Sequence, residues 1–384
     1  MLKLNRVLYG HSTQSLHGAI KPTPKQQREL EDARDIIREY LRGEIERATV
    51  AELGLSRPVT PKFRTQGSWK YGTCVQPAWP NSQQIDWDFG VYLPVALWES
   101  NGPPHEMAKR YFTLVDSRLA VLCEQKKWNL VSGKQTCSRV EISRTAHIDL
   151  PLYAAPEKEL LAIDEQIRKS AMTRGDSRAT FDSVAHQDWT DLKEIVFAKR
   201  SGEWQKSDPQ KVARWFQDRI SEHGESLRRV CMYLKAWRDF YWPGGDGPSS
   251  VCLMVAAAQR FVSFSGRDDL ALEHVAGALA RELAGEIRCD GIDRGAEDFN
   301  SRLNEVERRA AAQKAMALAS AIQGARRLLS NTFSCQQAIQ ILIGQFGERV
   351  PNQIDLIEVD GGDEIRTTAA REVPPPIVRP TKAG

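Results

Sequence analysis

QGSWKYGTCVQPAWPNSQQIDWDFGVYLP, residues 66–94, places two carboxylates, Asp86 and Asp88, one residue apart in a stretch that otherwise reads as a strand burying apolar residues. In an extended strand, residues i and i+2 share a face at a Cα spacing of roughly 6.6 Å. Asp86 and Asp88 therefore converge while Trp87 points the other way. Two like charges on one face repel unless a cation lies between them or solvent separates them. An exposed edge strand with its acids in water is the better account of an isolated Asp-x-Asp, so the surrounding sequence has to decide.

A third strand carboxylate occurs in AHIDLPLY, where Asp149 follows His147 and Ile148. Three acids on neighbouring strands can hold two divalent ions about 3.5–4 Å apart, the arrangement that nucleotidyl transfer needs. Upstream lies GSWKYGT. Gly67 allows close backbone approach, and Ser68 supplies a hydroxyl and an N–H at the start of a helical turn facing a triphosphate. A Gly-Ser pair alone carries little. Followed by Asp-Trp-Asp on one strand and a distal Asp on another, it matches the pattern of the DNA polymerase β-like nucleotidyltransferases.

The totals agree with such a protein. With 384 residues the chain can bury a sizeable core and accommodates two domains. Its 53 basic and 50 acidic residues leave a net charge of only +3, too balanced for a large nucleic-acid footprint but compatible with a local basic pocket. Seven scattered cysteines, with no CxxC or Cys/His cluster, argue for reduced thiols and against a disulfide framework or a zinc module. No apolar run reaches membrane-spanning length, and residues 1–18 contain no continuous apolar segment, so the expectation is a cytoplasmic protein without membrane association.

The expected organisation is α+β. Residues 1–60 form an N-terminal segment whose long spine helix starts at Thr23, with Pro24 at N1 and Gln26 completing a capping box. Residues 61–205 form an α/β nucleotidyltransferase core, a mixed sheet carrying the three aspartates. Residues 206–350 form a helical domain that opens with SDPQKVARWFQDRI, with Pro209 at N1, and includes SLRRVCMYLKAWRDFYW. Residues 351–384 read as a flexible, proline-rich tail. The ligand cleft is expected between the core and the helical domain.

TQGSWKYGT, KQTCSR, HIDLPLYAAP, WQKSDPQKVARWF, CMYLKAWRD and GPSSVCLM, in this order from about Phe63 to Met254, make the resemblance closer. They resemble the bacterial cGAS/DncV-like nucleotidyltransferases, in particular the DncV-type dinucleotide cyclases of CBASS anti-phage systems. The loop WPGGDGPSS is a residue longer than the family pattern. The resemblance implies synthesis of a 3′,3′-cyclic dinucleotide, favoured 3′,3′-cGAMP, from ATP and GTP, with release of pyrophosphate and two Mg2+ ions, Mn2+ being the alternative. It also implies that Asp86, Asp88 and Asp149 are catalytic and hold the metals. Gln66, Gly67, Ser68, Tyr71, Arg139, Lys235, Ser249 and Ser250 would bind the nucleotides. No nucleic-acid activator is expected. Members encoded beside a ubiquitin-transfer-like enzyme pair are conjugated through a C-terminal glycine, a role open to Gly384; an ordinary frayed terminus is an equal alternative.

The bland alternatives are definite. Without the family pattern Lys235 is a solvated lysine, and Tyr71 is a core residue. Trp237 and Trp242 read as packing, and Cys74 and Cys137 as buried small residues. His147 shares a strand face with Asp149 but reads as a hydrogen bonder behind the acids, because Mg2+ prefers oxygen. Two other functions compete: another polymerase β-like transferase, such as an RNA-tailing enzyme, which the near-neutral charge disfavours, and a catalytically silent nucleotide-binding scaffold, which has no reason to retain three repelling acids.

Overall fold

The computed structural model describes residues 1–10, 14–80, 82–95, 105–160, 195–206, 209–293 and 295–359. Among the described residues, an eight-stranded mixed sheet is built around the central strand Ile85–Val95. Residues 146–149 run parallel beside 85–88, and 152–156 run parallel beside 91–95 at the same offset. Pro151 interrupts the neighbouring strand, yet its carbonyl still accepts from Val91 N–H at 2.9 Å. Proline cannot donate to the ladder, but it can accept. Strand Ser138–Ser143 pairs antiparallel with Ala146–Leu150, and Lys62–Thr65 pairs antiparallel with the central strand.

Alternation along the central strand decides what each face does. Ile85, Trp87 and Phe89 face a core that includes Leu30, Ile37, Leu41 and Ile45 of the helix Pro24–Leu53 and Tyr111, Val115 and Leu119 of the helix His105–Lys126. Trp87 stacks on Trp69 with ring centroids 4.1 Å apart. The aspartates are left on the opposite face. The spine helix begins as its sequence requires: the Thr23 side chain accepts from Gln26 N–H, and the Gln26 side chain accepts from Thr23 N–H.

A second core joins the helices Pro209–His223, Glu225–Tyr241, Ser250–Arg260, Asp268–Glu282, Glu305–Arg327 and Thr332–Phe346. Trp237 is fully buried there and Trp242 packs against it, so both are packing residues as the sequence indicates. The N-terminal segment is divided between the two cores. Leu2, Leu4, Val7, Leu8, Leu16 and Ile20 belong to the helical core, whereas the spine helix belongs to the sheet. Leu2–Lys3 pairs antiparallel with Glu358–Val359, so the expected tail from 351 has structure to at least 359. Positions 360–384, including Gly384, and the 207–208 cap before Pro209 lie outside the described residues.

Candidate active site

Strand register assembles the site. Asp86 lies opposite His147, Asp88 opposite Asp149, and on the far side Arg139 lies opposite Asp149. Partnered residues of adjacent strands project to the same face, so these five side chains form one patch. Asp86, His147 and Asp149 offer ligand atoms that all lie within 4.8 Å of one another. That compact set contains His147, which sequence reasoning placed behind the acids. Asp88 sits beside it, against the turn at Gly67.

The patch forms part of the floor of a cavity of about 620 Å³ between the sheet and the helical domain. Of the expected nucleotide-binding residues, Gly67, Ser68, Tyr71, Arg139, Lys235, Ser249 and Ser250 line it, together with Asp86 and Asp88. Asp149 opens on an adjoining recess that it shares with Asp88, Cys137 and Tyr153. Gln66 behaves differently. Its amide is buried, donating to the Tyr92 hydroxyl and accepting from the Tyr153 hydroxyl at 3.1 Å, so its side chain is turned into the core.

Gly67 is required on two counts. Its φ is +58°, in the left-handed region, and a Cβ there would lie 2.0 Å from Asp88 Oδ2. The backbone can approach the carboxylate only without a side chain. The short helix Gly67–Tyr71 starts here, and the first N–H groups of a helix have no partners within it.

Lys235 is 7 % exposed, and its Nζ donates to the Thr73 carbonyl at 3.0 Å. It is therefore not a solvated lysine, and burial pushes its pKa below the ordinary value. Tyr71 joins the helical core, edge-on to Phe216 at 6.1 Å, while also lining the cavity. Ser249 caps the helix Ser250–Arg260, accepting from Cys252 N–H at 3.1 Å. Cys74 and Cys137 are buried, which pushes their thiols up to about 11 and about 12 and keeps them protonated.

The acids are electrostatically unequal. Burial raises the Asp88 carboxyl well above the usual carboxylate range, and the negative neighbours Asp86 and Asp149 raise it further. Burial also pushes Asp86 up, but His147, Arg139 and Lys235 outweigh it and hold that carboxyl low. One carboxyl of the adjacent pair thus keeps the charge and the other is driven toward the proton. Asp149 accepts from Arg139 through both oxygens at 2.6 Å each.

The donor set fits a divalent cation. Asp86 Oδ1 and His147 Nε2 are both buried and have no hydrogen-bond partner, although they lie 3.0 Å apart. Converging carboxylates with an unpartnered oxygen and a raised pKa are what a hard cation would relieve.

Sequence reasoning missed two positioning groups. Arg238 lines the cavity, donates to Ser250 Oγ at 3.0 Å and is held by Asp239. It lies three residues beyond Lys235, on the same side of one helix, a signal present in the sequence. Gln84 accepts from His147 Nδ1 at 2.8 Å, and nothing in the periodicity marks it.

Two family models match the chain. Residues 61–153 match the description "Cyclic GMP-AMP synthase DncV-like, nucleotidyltransferase domain", and residues 224–359 match "Cyclic GMP-AMP synthase, C-terminal domain". A cyclic GMP-AMP synthase of Vibrio cholerae serotype O1 is 35 % identical over 241 residues, 60 % of this chain and 53 % of that protein. One from Escherichia coli strain TW11681 is 33 % identical over 250 residues, 62 % and 54 % of the two chains. These alignments thus span about half the length of the curated relatives. Among solved structures, a mutant Vibrio cholerae di-nucleotide cyclase, DncV, superposes with a TM-score of 0.77 at 25 % identity, covering 93 % of this chain and 99 % of that one. A second mutant of it, in complex with ATP and GTP among its ligands, gives 0.76 at 25 % identity over the same shares. The two models together span more than half of the chain and fall in order on its sheet and its helical domain; the chain belongs to the DncV-like nucleotidyltransferase family.

Proposed function

We propose that this protein is a nucleotidyltransferase that joins two ribonucleoside triphosphates, ATP and GTP, into 3′,3′-cyclic GMP–AMP with release of pyrophosphate, as a second messenger in CBASS antiviral defence. The observation that carries the reading is the strand register that sets Asp86 beside His147 and Asp88 beside Asp149, under a cavity walled by Gly67, Ser68 and Lys235. The relatives named cyclic GMP-AMP synthase, and the di-nucleotide cyclase solved with ATP and GTP, support the substrates. Gly384 is the proposed attachment point for a ubiquitin-transfer-like conjugating enzyme.

In this reading Gly67 and Ser68 cradle the donor triphosphate, and the buried ammonium of Lys235 neutralises it from the helical side. Asp86, Asp88 and Asp149 would hold divalent ions, Mg2+ or alternatively Mn2+. Such ions, when bound, neutralise the transferring phosphoryl group and favour ionisation of the attacking 3′-hydroxyl. Arg139 fixes the orientation of Asp149 and presents positive charge at the acceptor side of the cleft.

The test is incubation of the purified protein with Mg2+ and all four ribonucleoside triphosphates, followed by mass spectrometry of phosphatase-resistant products. The expected product is 3′,3′-cGAMP, absent from Asp86→Asn/Asp88→Asn. A linear tail added to RNA, or nucleotide binding without any product, would overturn the reading.

A further inference from the structure

We propose that His147 is a direct ligand of the ion held by Asp86 and Asp149, so that this position carries a nitrogen donor and prefers a first-row transition-metal ion to Mg2+. The proposal rests on the metal-dependent reading above and specifies which atoms bind.

The His147 side chain is only 6 % exposed and sits directly opposite Asp86 in the parallel ladder. Its tautomer is fixed from behind. The Gln84 amide nitrogen donates to the Arg144 carbonyl at 3.3 Å, so Gln84 Oε1 is the atom that faces His147 Nδ1, at 2.8 Å. Nδ1 therefore carries a hydrogen, and Nε2 is the nitrogen that faces the acids. An imidazole anchored through one nitrogen and open at the other is how histidines are prepared for metals.

Spacing gives the second argument. His147 Nε2 lies 3.0 Å from Asp86 Oδ1 and 4.0 Å from Asp149 Oδ1. Nε2 and Asp86 Oδ1 are buried, and neither has a hydrogen-bond partner. For metal–ligand bonds of about 2.0–2.1 Å in octahedral geometry, adjacent donors stand about 3 Å apart and opposed donors about 4.2 Å. The two separations from Nε2 match one adjacent and one nearly opposed donor. Arg139 engages one of the two lone pairs of Asp149 Oδ1. Two carboxylates and an imidazole form a mixed oxygen–nitrogen set, and an imidazole suits first-row transition-metal ions better than Mg2+, which prefers oxygen.

The experiment uses the full-length protein with Mn2+ alone, read by electron-spin-echo envelope modulation, which detects nitrogen bound to the ion and requires no turnover. The expected result is a nitrogen modulation in wild type that shifts when histidine is labelled with ¹⁵N and disappears in His147→Gln. Mn2+ affinity in that variant is expected to fall about tenfold or more, with a smaller change for Mg2+. Bound Mn2+ without nitrogen modulation in wild type would overturn the proposal while leaving the metal-dependent reading intact. A modulation that persists in His147→Gln would do the same. If wild type bound Mn2+ no better than Asp86→Asn, both would fall. The isotope-labelled wild type keeps the test decisive even if His147→Gln misfolds.

Discussion

Arg139 grips Asp149 at both ends of its carboxylate, Nε–H donating to Oδ1 and Nη2–H to Oδ2, each at 2.6 Å. A planar fork with two parallel donors fixes the rotation of the carboxylate as well as its position. Arg139→Ala is expected to lower turnover about 100-fold through misplacement of Asp149. Arg139→Lys should recover only part of this, because an ammonium cannot reproduce the fork. Initial rates of pyrophosphate release decide the matter. Full activity in the lysine variant would mean that charge alone matters there.

Gly67→Ala tests the approach of the turn to the acids. The added methyl group would need a left-handed φ of +58° and would meet Asp88 Oδ2 at 2.0 Å. The carboxylate must move, and product formation is expected to fall about 100-fold while the circular dichroism spectrum is retained. Wild-type rates in Gly67→Ala would show that the turn has room to shift.

Asp88 gives a pH signature. Its carboxyl is raised in the folded protein by burial and by Asp86 and Asp149. A raised acid binds its proton more tightly when folded, so its contribution to stability is present at low pH. That contribution is lost as pH rises from the unfolded value, about 3.9, toward the folded one. Asp88→Asn removes this loss. In EDTA, the melting temperature of the variant minus that of wild type should grow with pH across this window and reach about 2–4 °C at neutral pH. A flat difference curve would contradict the electrostatic account. The same variant is expected to be inactive, the compromise typical of acids gathered for catalysis.

Lys235 is already desolvated and tied to the Thr73 carbonyl before any nucleotide arrives. Little ordering of its side chain remains to be done on binding. Lys235→Met, which keeps the packing, is expected to weaken triphosphate binding about 10- to 100-fold, as loss of a charge-assisted contact implies. Isothermal titration with a non-hydrolysable triphosphate measures it, and unchanged affinity would remove Lys235 from the site.

Asp269 joins the N-terminus to the helical domain. It is fully buried, accepts from Leu4 N–H at 3.0 Å, and pairs with Arg267 at 2.9 Å and Arg326 at 3.6 Å. Asp269→Ala leaves buried donors uncompensated and is expected to cost about 3–5 kcal/mol in urea unfolding. A loss below about 1 kcal/mol would mean that water replaces the carboxylate.

Local pattern was legible in the sequence. The Thr23–Gln26 box, the 3.6-residue stripes of the helices and the convergence of Asp86 and Asp88 all depend on residues within a turn or two of one another, and each took the expected form. The Gly-Ser turn and the third aspartate were legible because their spacing follows the family pattern. Tertiary structure alone decided which side chains oppose each other across the sheet. Register places His147 against Asp86 and turns Gln66 between Tyr92 and Tyr153; a shift of one residue would send each strand's side chains to the other face. It also decided that Lys235 is buried and that Leu2–Lys3 closes on Glu358–Val359. Those outcomes depend on contacts between residues far apart in the chain. The periodicity of a single segment carries no record of its partner.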